Sequence, residues 1–124
     1  MSDCPIKTLD GRQYYCTMEL TLQIVGGKWK PIILYYLGNK GTLRFSELKR
    51  SMPSITQKML TQQLRELEAD ELIHREVYPQ VPPKVEYSLT DLGQSIIPLL
   101  RQLCEWGSMF ESRKLETLSK EDAA

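Results

Sequence analysis

Residues 53–72 read PSITQKMLTQQLRELEADEL, and the period of this stretch decides the fold. Leu60, Leu64 and Leu67 recur at i, i+4 and i+7, so they form one apolar stripe along a helix. The opposite ridge carries Lys58, Gln62 and Arg65, flanked by Gln57, Thr61 and Gln63. An ordinary solvated face would carry alternating Glu and Lys. This one carries two cations and an amide, groups that hydrogen-bond both phosphate oxygens and base edges.

The elements on either side give that ridge its meaning. Upstream, Thr42-Leu43-Arg44-Phe45 reads as a short extended piece, and Ser46 starts a helix over Glu47–Met52 that Pro53 stops. Ser54 and Gln57 have capping-box spacing for the next helix, with Thr56 a competing cap, and that helix runs to about Asp70. Two helices joined by so short a turn predict a helix-turn-helix. Downstream, Leu72–Tyr78 alternates, and Val85, Tyr87 and Leu89 alternate with Glu86 and Ser88, which predicts two strands. The proline-rich connection PQVPPK at 79–84 keeps the loop between them extended and forms a wing.

Further out the signals weaken. Residues 1–16 show no period and read as an irregular N-terminal arm. Thr17 is placed to cap a helix over Met18–Val25 that buries Leu22 and Val25, broken by Gly26-Gly27. A second helix begins near Trp29, apolar on nearly every side through Ile32, Ile33, Tyr35, Tyr36 and Leu37. It is therefore central, and Gly38 is expected to end it. Thr90-Asp91 opens a final helix with a broad stripe of Leu92, Ile96, Leu100, Leu103 and Phe110, widened by Ile97, Trp106 and Met109. Pro98 should kink or break it, and Ser119–Ala124 are expected to fray.

The totals describe one soluble domain: 124 residues, 41% hydrophobic and 26% charged, with no apolar run long enough to span a membrane. The start MSDCPIKTLDG has no basic-then-apolar leader, and three cysteines are an odd number, so a cytoplasmic location is expected. Net charge is zero, but residues 1–58 hold nine Lys/Arg against four Asp/Glu, and residues 59–124 hold seven against twelve. A fold that segregates those signs can still present a basic face. Catalysis finds no support. His74 is the single histidine, and the chain has no C-x-x-C pair and no phosphate-binding loop, so neither metal nor cofactor is expected.

The order and spacing of these pieces resemble the HxlR-type branch of the MarR-like winged helix-turn-helix regulators. The resemblance rests on IVGGKWKPIIL at 24–34, the stretch from Leu43 to Tyr78, and PPKVEYSLTDLG at 82–93, and it spans roughly Cys16 to Phe110. It implies a mainly α fold with a small β-wing, a transcription factor acting as a homodimer on double-stranded DNA, and Gly26, Gly27 and Trp29 as scaffold positions. The resulting division is an arm at 1–16, a winged domain with its dimerisation helix at 17–112 and a polar tail at 113–124.

Within that frame Lys58, Gln62 and Arg65 face DNA, with Gln57 and Thr61 nearest the bases. Lys49 and Arg50, together with Lys28 and Lys30, are phosphate candidates. Arg75 and Lys84 are candidates from the wing, whose tip is Gln80–Lys84. Leu100, Leu103, Trp106 and Phe110 are the expected dimer contacts. Cys16 stands where the family has its N-terminal cysteine, although Thr17 follows it in place of the usual proline. Lying just ahead of a helix start, Cys16 is the candidate oxidant or electrophile sensor, Cys104 reads as a buried inert thiol, and Cys4 sits in the arm. A small apolar effector near Tyr14, Tyr15, Tyr35 and Tyr36 is the alternative. A winged-helix protein-interaction module without DNA binding is the rival class, and the cationic ridge argues against it.

Overall fold

The computed structural model describes residues 5–123; Cys4 lies outside them. Its centre is α2, Trp29–Lys40, whose Ile33, Leu34 and Leu37 are fully enclosed, as an all-apolar helix requires. Around it pack α3 (Phe45–Ser51), α4 (Gln57–Ala69) and the start of α6 (Ile97–Ala123), while α1 (Thr17–Val25) adds its last residue, Val25, to the same core. Val25, Leu48, Met52, Ile55, Leu60, Leu64, Leu67, Ile97 and Leu100 join α2 in the core, with Leu43, Leu72, Ile73 and Tyr87 from the wing and its approach. The chain is mainly helical with a small β-wing.

The wing is antiparallel. Strand β4 (Ile73–Tyr78) pairs with β5 (Lys84–Leu89), and β5 also pairs with the two-residue β3 (Leu43–Arg44), giving the order β3-β5-β4. The register sets Ile73 opposite Leu89 and Tyr78 opposite Lys84. Leu43 and its partner Tyr87 are both buried, so the root of the wing is sewn into the core while the tip stands in solvent.

Several local expectations are corrected. The arm is not irregular: Lys7–Leu9 (β1) and Arg12–Tyr14 (β2) form a hairpin. Its two-residue loop is Asp10-Gly11, both at positive φ (50° and 78°), the backbone of the tight turn that Asp-Gly favours. Cys16, not Thr17, is the N-cap of α1, and Leu22 is 60% exposed because it shares the outward face of α1 with Met18. Gly38 does not end α2, which runs on to Lys40 and is capped by Gly41. A Cβ on Gly38 would stand 2.7 Å from Ile97 Cδ1, so the glycine lets α6 approach closely. The third helix starts at Phe45, where the Arg44 N–H donates to the Glu47 carboxylate at 2.8 Å.

The final helix is two. A short α5 (Asp91–Ser95), capped by the Thr90 hydroxyl, gives way at Ile96 to α6, just before Pro98. Helix α6 then continues unbroken to Ala123 rather than fraying from Ser119. No helix among the described residues is long and apolar enough to cross a membrane.

Candidate nucleic-acid interface

Helix α4 is fixed in rotation by Leu60, Leu64 and Leu67, all buried against the core. Its cap is Thr56 rather than Ser54: the Thr56 hydroxyl accepts the Met59 N–H at 3.1 Å, satisfying a first-turn donor. Ile55 plugs the turn from α3, and its N–H donates to the Met52 carbonyl at 3.1 Å. With the helix so oriented, Gln57, Lys58, Thr61, Gln62 and Arg65 line one shallow outward concavity together with Glu66. Gln57, Lys58, Gln62 and Arg65 are exposed there and Thr61 is half-buried.

The other candidates divide. Arg75 is not at the wing tip. Opposite Tyr87 in the register, it stands at the root of the wing and shares a cleft of about 280 Å³ with Thr61, Arg65 and Glu68. It thereby extends the cationic surface of α4. Lys84 is at the wing, but its ammonium lies 3.7 Å from Glu86 and 4.8 Å from the Tyr78 ring centre, so part of its charge is answered within the strand pair. Glu86 also raises the Tyr78 phenol above its ordinary pKa, first by hydrogen bonding and then by its charge, with lesser contributions from burial and Glu76. Arg50 is exposed and Lys49 half-buried at the end of α3. Lys28 is exposed over the Trp29 ring at 4.5 Å.

Lys30 is a correction. It is buried and its ammonium lies 3.3 Å from Glu66 on α4, so its charge is spent tying α2 to α4 and is not presented to solvent as a phosphate contact requires. Arg44 was missed. It is exposed where β3 meets α3 and lines a groove with Ser46, Gln80, Pro82 and Lys84, between the wing and the helix pair. Its strand pairing opposite Glu86 brings it there, and pairing is not written in the local sequence.

On α6 the expected contact residues part company. Leu100 is 4% exposed and belongs to the core of its own chain, whereas Leu103 is 56% exposed. Trp106 and Phe110 stand out in solvent with Met109, their rings stacked at 5.4 Å. Cys104 is exposed rather than buried, with the Tyr35 hydroxyl donating to its sulfur at 3.7 Å. Cys16 is exposed. Tyr35 and Tyr36 pack edge to face, Tyr36 under the Lys40 ammonium, while Tyr15 is exposed ahead of α1. No grouping of three or more His, Cys, Asp or Glu suited to a metal exists among the described residues.

The profile of the HxlR-like helix-turn-helix matches residues 24–115, which takes in both helices and the wing. The chain belongs to the HxlR family. HxlR proteins are MarR-like winged helix-turn-helix transcriptional regulators and not enzymes. An uncharacterised HTH-type transcriptional regulator of Methanothermobacter thermautotrophicus is 55% identical over 102 residues, covering 82% of this chain and 77% of that protein. The redox regulator HypR in its reduced form superposes with a TM-score of 0.75 at 54% identity, covering 82% of this chain and 99% of HypR. The reduced transcriptional regulator YodB of Bacillus subtilis superposes at 0.66 with 35% identity, covering 78% and 95%. HypR has also been seen oxidised, and YodB after diamide treatment.

Proposed function

We propose that this HxlR protein binds a palindromic or pseudo-palindromic operator as a cytoplasmic homodimer, with α4 of each subunit in a major groove. The observation that carries the reading is the outward ridge of Gln57, Lys58, Thr61, Gln62 and Arg65, free of the core and continued by Arg75. Gln62 is suited to an adenine edge and Arg65 to a guanine edge, while Lys58, Lys49, Arg50 and Arg44 supply phosphate contacts. Lys84 reaches the flanking backbone from the wing.

One such helix reads too few base pairs, and a symmetric pair needs half-sites about 34–36 Å apart or a multiple of that. The exposed Leu103, Trp106 and Phe110 supply the apolar face for pairing. Cys16, exposed at the N-cap of α1, is the proposed oxidant-sensing thiol, a reading supported by the similarity to HypR, a redox regulator, and to YodB, which has been seen after diamide treatment. A Cys16→Ser protein should lose the response of DNA binding to diamide; retention of that response removes Cys16 from the mechanism.

The direct test is binding to the duplex upstream of the protein's own gene. Gln62→Ala should cost about 1–3 kcal/mol against the preferred sequence and relax preference at one base pair. Lys58→Ala should weaken binding to all sequences and flatten the salt dependence by about one unit of slope. Unchanged affinity and preference in both variants would end the assignment of α4 as the reader.

A further inference from the structure

The flank of α4 between its buried stripe and its outward ridge carries two carboxylates one turn apart, and each is held by a cation from a different element. Glu66 meets Lys30 of α2 at 3.3 Å, and Asp70 meets Arg12 of the N-terminal hairpin at 2.7 Å. The second bond joins residues 58 apart in the chain, and both side chains are largely sheltered, at 30% and 16% exposure. Asp70 is the C-cap of α4, beyond Leu67, the last residue that packs the helix onto the core.

The hairpin rests on α1 through β2, whose Arg12 and Tyr14 are half-buried. Its strand β1 is exposed throughout, and the hairpin borders an open cleft of about 900 Å³ whose lining includes Leu9, Leu20, Ile24 and Leu92. Two polar links add to that packing: Arg12 to Asp70, and the Gln23 side-chain amide donating to the Gln13 carbonyl at 2.8 Å.

We propose that Arg12 is a positioning residue for DNA recognition: the N-terminal hairpin latches the C-terminal end of the reading helix through the Arg12–Asp70 pair. This rests on α4 being the helix that reads DNA. The apolar stripe fixes the rotation of α4 about its axis, buried Leu72 with its bonds to Leu67 and Thr90 anchors the turn that follows, and the latch holds the remaining flank of that end. Without it the free protein samples a wider set of tilts, and the fraction ready to dock falls, so the apparent affinity falls by that fraction. Arg12 touches no DNA in this scheme.

The test uses the full chain and the duplex upstream of its own gene, with affinity followed against salt. Arg12→Ala and Asp70→Asn should each weaken binding roughly two- to fivefold with the salt slope unchanged. The Asp70→Asn result is diagnostic, because removing a carboxylate near a polyanion strengthens binding unless the carboxylate positions something. Arg12→Lys should recover part of the loss, and the exchanged pair Arg12→Asp with Asp70→Arg most of it. Wild-type affinity in Arg12→Ala, tighter binding by Asp70→Asn, or an exchanged pair no better than the single variants would overturn the proposal. So would a slope lowered in Arg12→Ala alone, since that marks a phosphate contact. Hydrogen exchange on the free protein decides the latch separately from the DNA reading. Amides of residues 66–72 should exchange faster in Arg12→Ala than in wild type, and equal rates sink the latch. A wild-type chain that binds no duplex sinks the reading of α4 instead, whatever the exchange shows.

Discussion

Lys30 and Glu66 form an asymmetric pair: the lysine side chain is 10% exposed and the glutamate side chain 44%. A buried ammonium on α2 thus has as its partner a carboxylate that water already solvates, and the two do not stand to lose equally when the pair is broken.

Removing Glu66 strands the buried charge. Glu66→Ala should cost about 2–4 kcal/mol, read as a lower urea midpoint with an unchanged slope. Lys30→Met leaves a half-exposed carboxylate and fills the space with apolar atoms, so its cost should be no more than about 1 kcal/mol. Equal losses in the two variants would mean that the burial of Lys30 does not set the energetics of the pair.

Helix α4 ends in a reciprocal pair of bonds: the Leu72 N–H donates to the Leu67 carbonyl and the Glu71 N–H to the Glu68 carbonyl, both at 3.0 Å. This C-terminal motif needs a left-handed residue at position 71, and Glu71 sits at φ 63°. A side chain with a Cβ is strained there. Glu71→Gly should therefore raise stability by about 0.5–1 kcal/mol, visible as a higher melting temperature. A loss would show that the glutamate side chain stabilises the turn by more than the backbone strain costs.

The crossing of α2 and α6 depends on Gly38. Valine at 38 adds helix-compatible bulk but drives its side chain into Ile97, and should cost about 1–3 kcal/mol. Shortening the obstacle should recover part of this, so Gly38→Val with Ile97→Ala should fall short of the sum of the two single losses. Simple additivity would place the damage elsewhere.

These cases show why some of the fold was legible and some was not. The stripe Leu60-Leu64-Leu67 and the alternation through β4 and β5 are local periods, and a period survives whatever packs against it. Gly38 looked like a stop because a glycine that ends a helix and one that admits a neighbouring helix are written with the same letter. The hairpin was hidden because its strands are three residues each and mostly polar, although Asp10-Gly11 was a turn signal within reach. The ridge on α4 could be drawn from spacing alone, but Arg75 joins it and Arg44 reaches the wing groove through strand pairing, and Lys30 leaves the phosphate candidates through an ion pair 36 residues away. Long-range partners of this kind leave no trace in a window of sequence.

Leu100 and Leu103 lie on one helix less than a turn apart and predict opposite behaviour. Leu100 closes the core, so Leu100→Ala should cost about 2–5 kcal/mol of folding stability while leaving the association of surviving folded protein intact. Leu103, Trp106 and Phe110 are exposed in the single chain, and their loss should barely move the folding of the body. If they form the proposed pairing face, Trp106→Glu with Phe110→Glu should place two desolvated charges on each side of it. Sedimentation at micromolar concentration should then show a monomer. Affinity for a two-half-site duplex should fall to nearly that for a single half-site, because the second reading helix is no longer tethered. A double variant that still sediments as a dimer would move the pairing surface away from α6, and the exposed Met18–Leu22 face of α1 would be the next place to look.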